Sequence, residues 1–254
     1  MSTAAIEIRD LHISFGRNHV LQGVNLDVPR GSSVVVIGGS GSGKSVLLKC
    51  ILGILQPDSG SIRVNGEEIV GLYGRALENF RTRFGMLFQG AALFDSLPVW
   101  ENVAFYPLQV ERTGRRKARE LALRYLADVG LDADIADLYP AELSGGMRKR
   151  VGLARAIATQ PDIIFFDEPT TGLDPIMGDM IDRLIRKCIT DYGFTGLSIT
   201  HDMASARRIS DEVAMLYDGH IVWQGATETL DDPGNPYVEQ FVTGRTEGPI
   251  QIRL

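Results

Sequence analysis

The chain has 254 residues, with 26 basic and 32 acidic side chains and a formal net charge of −6. This length suffices for a sizeable core, and the acidic balance argues against a nucleic-acid partner, since dedicated nucleic-acid binders usually carry a basic excess. Cys50 and Cys188 lack disulfide or metal-type spacing, which favours a reducing cytosol. The start lacks the pattern of a secretory signal, and no apolar run approaches the ~18 residues that span a bilayer. We therefore expect a cytoplasmic protein that reaches a membrane only through a partner.

The first third of the chain predicts strands interrupted by one helix. Apolar residues alternate or cluster as in half-exposed and buried strands over residues 6–15, 20–28, 33–37, 61–66 and 84–88. Apolar residues at helical spacing predict a helix over residues 46–55.

Between the third strand and this helix stands GGSGSGKS, which fits the phosphate-binding pattern G-x-x-x-x-G-K-[ST]. Glycines let successive N–H groups face phosphate oxygens with no Cβ in the way, and the helix N-terminus adds attraction. We expect Lys44 to reach the β- and γ-phosphates and Ser45 to ligate Mg²⁺. A plain glycine-rich turn is the alternative, which the strand and helix on either side disfavour. The predicted nucleotide-binding residues are Gly38, Gly39, Ser40, Gly41, Ser42, Gly43, Lys44 and Ser45.

Residues 89–155 predict a helical insertion, because strand patterns vanish there and helical spacing dominates over residues 115–129 and 147–158. The second of these helices follows the sequence LSGGM. Ser144 suits the N-cap, and Gly145 and Gly146 leave N–H groups open to an anion. Simple helix capping is the alternative for this segment.

The apolar run IIFF ends in Asp167 and Glu168, which predicts a buried strand that carries two carboxylates to the ligand-binding edge of a sheet. Because neighbouring strand residues point to opposite sides, we expect the two to act differently. Asp167 suits the Mg²⁺ shell, and Glu168 suits positioning or deprotonating the attacking water. A carboxylate that caps the next turn is the alternative.

Strands and helices alternate again in the last third, which predicts an α/β fold with a mostly parallel sheet. The predicted helices cover residues 175–191 and the segment MASARRI, and the predicted strands cover residues 196–200, 213–217 and 221–224. The segment from Asp231, rich in Pro and Gly, predicts a tail or capping segment.

The order of these motifs resembles an ATP-binding-cassette (ABC) ATPase over about residues 1–230. The resemblance implies a P-loop NTPase with an N-terminal antiparallel β-subdomain and an inserted α-helical subdomain. The implied domains are an ATPase core at residues 1–88 and 156–230, a helical subdomain at 89–155 and a C-terminal segment at 231–254.

The same resemblance assigns further site residues. Gln89 matches the glutamine that joins the core to the helical subdomain and contacts nucleotide and Mg²⁺, and Asp174 matches the D-loop aspartate. His201 matches the switch histidine, and Phe15 matches the aromatic that stacks on adenine. Without the resemblance, Phe15 and His201 would each be interpreted as a packing residue. Asp202, beside His201, would be the N-cap of the following helix. Met147 departs from the usual glutamine and removes one side-chain amide from the LSGG segment.

In the family two cassettes close head to tail, so that ATP on one phosphate-binding loop is covered by Ser144, Gly145 and Gly146 of a second copy. Lys44, Glu168 and His201 would then act on the γ-phosphate and the attacking water.

Four segments, LSGGM, GAALFDSLPVWENVAFYPL, EPTTGLDPI and FVTGRTEGPI, are similar to the Mla/Mce-type phospholipid-transport ATPases. This implies a peripheral subunit on the cytoplasmic side of the inner membrane, working with an MlaE-type permease, an MCE-domain protein and often a STAS-domain protein. Phe105, Tyr106 and Pro107 are expected near the permease, with packing as the alternative. Three functions are alternatives to phospholipid transport. They are a cassette for another importer, such as one for amino acids, a soluble cassette ATPase, and a P-loop switch without steady hydrolysis.

Overall fold

The computed structural model describes residues 4–251, which pack as two compact units. The first unit comprises residues 4–77 and 197–251, and the second comprises residues 78–196. The predicted domain limits at residues 1 and 254 lie outside the described residues. The helical subdomain at 89–155 stays a prediction.

Strands and helices alternate along most of the chain. In its first half they are β1 (Ala4–Phe15), β2 (Asn18–Pro29), β3 (Ser33–Ile37), α1 (Lys44–Ile51), β4 (Ser59–Val64), β5 (Glu67–Glu68), α2 (Gly74–Arg81), β6 (Phe84–Leu87), α3 (Val99–Val103), α4 (Phe105–Gln109) and α5 (Arg115–Asp128). In its second half they are α6 (Gly145–Ala158), β7 (Ile163–Asp167), α7 (Pro175–Tyr192), β8 (Thr195–Thr200), α8 (Met203–Ile209), β9 (Glu212–Tyr217), β10 (His220–Ala226) and α9 (Pro236–Thr243). Short 3-10 helices cover Ala133–Asp137, Pro140–Glu142 and Thr227–Asp231.

The first unit contains an antiparallel sheet with the strand order β2-β1-β4-β5. Ile8 of β1 faces Leu26 of β2 on one side and Ile62 of β4 on the other, and all three are buried. The alternation of buried and more exposed residues along β1 therefore produces a sheet with one face toward the core.

The phosphate-binding loop starts from a different set of strands in the same unit. Strands β10, β9 and β3 lie side by side, with β3 and β9 parallel and β9 and β10 antiparallel. The next strand, β8, enters this unit at Leu197. All five residues of β3 are buried, as expected for a parallel strand covered on both faces.

The second unit is built on the parallel pair β6 and β7, in which Met86 faces Phe165. Helix α6 packs against β6. A Cβ at Gly152 would lie 2.9 Å from Leu87 Cδ1, so glycine permits this close approach. The ring of Phe84 meets those of Phe80 and Phe165 edge-on, at centroid distances of 4.6 and 5.1 Å.

The parallel pairs, the antiparallel sheet and the helices confirm the predicted α/β class. Strand β3 begins and ends where predicted, but α1 ends at Ile51, because Gly53 adopts a left-handed φ of 64° that closes the helix. Helix α9 lies within the segment from Asp231, where no helix was predicted. No helix within residues 4–251 is long and apolar enough to cross a membrane.

Candidate functional site: a nucleotide-binding loop and a second anion-binding segment

The phosphate-binding loop connects β3 to α1 in the first unit. Steric contacts explain why its two fixed positions are occupied by glycine. Gly38 has a φ of 155°, and a Cβ there would lie 2.3 Å from Leu216 O. Gly43 has a φ of 103°, and its Cβ would come within 3.1–3.2 Å of Leu21 and Val20. Any larger residue would therefore displace the loop from β9 or β2.

Lys44 holds the loop in its turned shape. The side chain is only 7% exposed, and its Nζ donates to Gly38 O over 2.7 Å and to Gly39 O over 2.9 Å. Helix α1 begins at Lys44 without a capping side chain from Gly43, and Ser45 is exposed in its first turn. The loop thus combines a cation, a helix N-terminus and an exposed hydroxyl, as phosphate binding requires.

Phe15 and His201 also lie in the first unit. Phe15 is the last residue of β1 and is 48% exposed, which suits a stacking role. His201 follows β8 and is exposed, while Asp202 caps α8 by accepting from Ala204 N and Ser205 N. The N-cap predicted for Asp202 is confirmed.

The carboxylate pair lies in the second unit at the end of β7, and the two residues differ in backbone conformation. Strand β7 ends at Asp167, and Glu168 has a left-handed φ of 46°. The strand alternation predicted for the pair therefore does not extend to Glu168. A left-handed non-glycine residue costs about 1–3 kcal/mol and is typical of functional sites.

Hydrogen bonds from the following loop hold Glu168 in this conformation. Thr171 N donates to Glu168 O over 3.2 Å, and Thr171 Oγ1 donates to the Glu168 carboxylate over 3.0 Å. Both residues are half-buried. The carboxylate is thus oriented by its own chain.

Ser144 is the N-cap of α6 as predicted, but the helix begins at Gly145, two residues before the predicted start. Ser144 caps the helix by accepting from Met147 N over 3.2 Å, and both Ser144 and Gly145 are exposed. Gly146 is buried, and a Cβ there would lie 2.3 Å from Met177 Cε. An anion could therefore approach the helix from the side of Ser144 and Gly145.

Two predicted residues of the second unit, Gln89 and Gly145, come together at one cavity of about 170 Å³. Gln89, Gly145, Thr171 and Lys149 are among its lining residues. Asp174 caps α7 by accepting from Ile176 N and Met177 N, both over 3.1 Å.

Two basic residues near this cavity were not predicted. Lys149 is buried beside Glu168, and Arg155 is bonded to the loop that follows Gln89. The sequence does carry a signal for Lys149, since it falls on the buried stripe of α6 with Gly146 and Leu153 at helical spacing. A lysine on such a stripe is rarely buried without a partner.

The sequence profile described as ABC transporter matches residues 21–171, which is more than half of the chain. The chain therefore belongs to the ABC transporter family and is its ATP-binding, ATP-hydrolysing subunit.

Known proteins of this family resemble the chain over nearly its whole length. It is 41% identical to the Arabidopsis thaliana protein TRIGALACTOSYLDIACYLGLYCEROL 3, chloroplastic, over 98% of this chain and 76% of that protein. It is 38% identical to the histidine/lysine/arginine/ornithine transport ATP-binding protein HisP of Escherichia coli, over 96% of this chain and 99% of that one. It is 37% identical to the intermembrane phospholipid transport system ATP-binding protein MlaF of Haemophilus influenzae, over 100% and 96%.

A solved structure has the same fold as this chain. A dimeric ATP-binding cassette in a post-hydrolysis state, bound to ADP and phosphate, matches with a TM-score of 0.80 and 30% identity. The match covers 87% of this chain and 98% of that one.

Proposed function

We propose that this ATPase energises an inner-membrane transporter that moves phospholipids between the inner and outer membranes. The observation that carries the proposal is the likeness to MlaF over the full chain, which includes the C-terminal segment. The structure gives that segment a defined form, because the buried Gln240 accepts from Ile250 N over 2.7 Å and donates to Ile250 O over 3.2 Å. The likeness to HisP supports a second candidate, an amino-acid importer.

For the hydrolysis step we assign roles to the residues of each unit. Lys44 would stabilise charge on the γ-phosphate, Phe15 would stack on adenine, and His201 would sense the γ-phosphate. Glu168 would orient or deprotonate the attacking water, since its carboxylate is already fixed by Thr171.

The residues present fit Mg²⁺ as a companion of ATP. Each residue assigned to Mg²⁺ has a side-chain oxygen, the ligand type that Mg²⁺ prefers: Ser45 in the first unit, and Gln89 and Asp167 in the second. Within residues 4–251 no cluster of three or more His, Cys, Asp or Glu could hold a metal alone, which suits an ion carried largely by phosphates. Bound there, Mg²⁺ would neutralise charge on the β- and γ-phosphates.

The second anion-binding segment, at Ser144 and Gly145, would serve ATP bound to a second copy. Both residues are exposed, as a surface awaiting a partner requires. Asp174 would lie where the two copies meet, and Ile176, two residues further along the chain, is 79% exposed. The dimeric cassette structure supports this arrangement.

A membrane permease would dock on the second unit. A groove of about 320 Å³ opens there between the loop after Gln89 and the 3-10 helix Pro140–Glu142, and Leu93, Ala141 and Arg148 are among its lining residues. Pro107 is buried and Phe105 stacks on Phe94 at 4.5 Å, so these two residues pack within the unit. Tyr106 is therefore the better candidate of the predicted three for contact with the permease. The permease would hold the chain at the cytoplasmic side of the inner membrane, in an assembly with MCE-domain and STAS-domain proteins.

Co-purification tests the lipid assignment. The tagged chain, isolated with its membrane partners in mild detergent, should carry an MCE-domain protein and bound phospholipid, identified by mass spectrometry. Recovery of an amino-acid-binding protein without lipid would contradict the phospholipid proposal and support the second candidate.

A matched pair of variants tests the docking groove. Ala141 lies in the groove and Ala133 lies outside it, and both are exposed alanines in 3-10 helices. Ala141→Arg should lose the permease in the same pull-down, whereas Ala133→Arg should retain it. Equal recovery with both variants would place the permease elsewhere.

A further inference from the structure

Lys149 is a buried cation in direct contact with the loop that carries the carboxylate pair. It lies on α6, five residues after Ser144, and is 5% exposed. Its Nζ donates to the backbone oxygen of Glu168 over 3.3 Å. The same side chain lines the cavity shared with Gln89 and Thr171.

The peptide that Lys149 contacts is the one whose conformation directs the Glu168 carboxylate. With a φ of 46°, Glu168 turns away from the line of β7, and its carbonyl oxygen accepts from both Thr171 N and Lys149 Nζ. Loss of one donor would weaken the hold on a left-handed residue, which relaxes toward ordinary backbone angles when its contacts are removed.

Burial and two nearby carboxylates act in opposite directions on the charge of Lys149. Burial lowers the pKa of the Lys149 ammonium, and attraction to Asp167 and Glu168 raises it in part. Because burial is the larger effect, the pKa of Lys149 lies below its ordinary value.

We propose that Lys149 is a positioning residue for ATP hydrolysis, which holds the Glu168 peptide through its carbonyl and so aims the carboxylate at the attacking water. The inference rests on the proposed role of Glu168. Lys149 itself contacts the backbone of Glu168 and acts through that residue.

The test compares Lys149→Met, which keeps the length of the side chain but removes the charge and the donor, with Lys149→Arg, which restores both. In the full-length chain, phosphate release should give a kcat about tenfold lower for Lys149→Met, with KM for ATP within about twofold of wild type. Lys149→Arg should recover most of the rate. The melting temperature of Lys149→Met should stay close to that of wild type, since the loss of one hydrogen-bond donor is offset by the removal of a desolvated charge.

Lys187→Met is the matched control, because Lys187 is an exposed lysine paired with Asp191 on α7. It should leave kcat and KM unchanged. An unchanged kcat in Lys149→Met would overturn the proposal. A joint fall of kcat and melting temperature that Lys149→Arg does not rescue would also overturn it, since that outcome indicates packing alone. Lys149→Leu repeats the measurement if the methionine variant does not fold.

A parallel Glu168→Gln series separates this inference from the function on which it rests. If Glu168→Gln hydrolyses ATP at the wild-type rate, the proposed role of Glu168 fails. If Glu168→Gln is inactive while Lys149→Met is fully active, only the role of Lys149 fails. If both hold, adding Lys149→Met to Glu168→Gln should lower the residual turnover less than twofold, because the group that it positions is already gone.

Discussion

Single residues in this cassette are fixed by backbone geometry before any ligand is considered. Glu168 shows this most clearly, because a left-handed φ of 46° and a hydrogen bond from Thr171 Oγ1 set the direction of its carboxylate. A pre-oriented carboxylate does not have to be ordered when ATP binds, so its contribution falls on the chemical step.

Glu168→Gln should therefore abolish ATP hydrolysis and preserve ATP binding. The amide has nearly the shape of the carboxylate but cannot accept the proton of the attacking water, so phosphate release should fall at least about 100-fold. ATP affinity, measured by calorimetry, should stay within about threefold of wild type. Glu239→Gln on the exposed side of α9 is the control and should retain full activity. Full ATPase activity in Glu168→Gln would rule out the assigned role.

Gly38 offers a prediction about the shape of the loop itself. Alanine at this position would place a Cβ 2.3 Å from Leu216 O, so the loop must move away from β9. We expect Gly38→Ala to lower the free energy of unfolding by about 1–3 kcal/mol and to weaken ATP binding. Gly114→Ala is the control, since nothing lies within 4 Å of its Cβ and its φ is −61°. Equal melting temperatures for both variants would contradict the steric argument.

At the scale of elements, α6 organises the second unit along its length. Its first turn carries Ser144 and Gly145, Lys149 reaches Glu168, and Arg155 reaches the loop after Gln89. In that loop Ala91 and Ala92 both have left-handed φ values, 60° and 47°. The guanidinium of Arg155 donates to their carbonyl oxygens over 2.8 and 2.7 Å, so one side chain stabilises two strained residues.

Replacing Arg155 should loosen this loop. Burial lowers the pKa of Arg155, yet a guanidinium stays charged at neutral pH. Its two terminal nitrogens donate to the two carbonyl oxygens together, which the single ammonium of a lysine cannot do in the same way. We expect Arg155→Lys and Arg155→Ala to raise hydrogen exchange over residues 90–95 and to destabilise the chain by about 1–3 kcal/mol. Arg183→Ala, which breaks an exposed ion pair with Asp179, should change stability by less than about 1 kcal/mol. Unchanged exchange in both Arg155 variants would show that the loop holds its conformation alone.

The elements that the sequence predicts well are those with long, uniform patterns. Strand β3 and helix α7 follow from a five-residue buried run and from a regular apolar stripe that begins after Asp174. Helices α3 and α4 have only five residues each, too few for a periodic pattern to show. Helix α9 was missed although Asn235 caps it and Gly244 ends it, because the surrounding Pro and Gly residues dominate the local composition.

The same contrast holds for the site. The fixed glycines, the Ser144 cap and the carboxylate pair follow from local patterns that chemistry requires. The contacts of Lys149 and Arg155 join residues that are 19 and more than 60 positions apart, and no local pattern encodes such pairs. These contacts can be identified only once the packing of α6 is known.

At the scale of the whole molecule, the proposed function uses two anion-binding features of the chain, each of which would contact only part of a nucleotide. The loop at Lys44 presents a cation and a helix N-terminus, and the start of α6 presents a second helix N-terminus at Gly145. Under the proposed function two copies would complete the site, a proposal motivated by the likeness to a dimeric cassette bound to ADP and phosphate. Dimerisation should then depend on ATP and on the exposed surface at Gly145.

Gly145→Asp tests this dependence without disturbing the fold. Gly145 has an ordinary backbone angle, and the nearest atom to a Cβ there is Leu173 Cδ2 at 3.7 Å, so a side chain fits. An acidic residue in the first turn of α6 favours the helix, but it repels the phosphates of ATP bound to a second copy. In the Glu168→Gln background, ATP should convert monomer to dimer in analytical ultracentrifugation, and adding Gly145→Asp should abolish that shift at an unchanged melting temperature. Gly114→Asp is the control, because it places the same charge at the N-cap of α5 and should leave the dimer intact. A dimer that persists with Gly145→Asp would place the interface on another face.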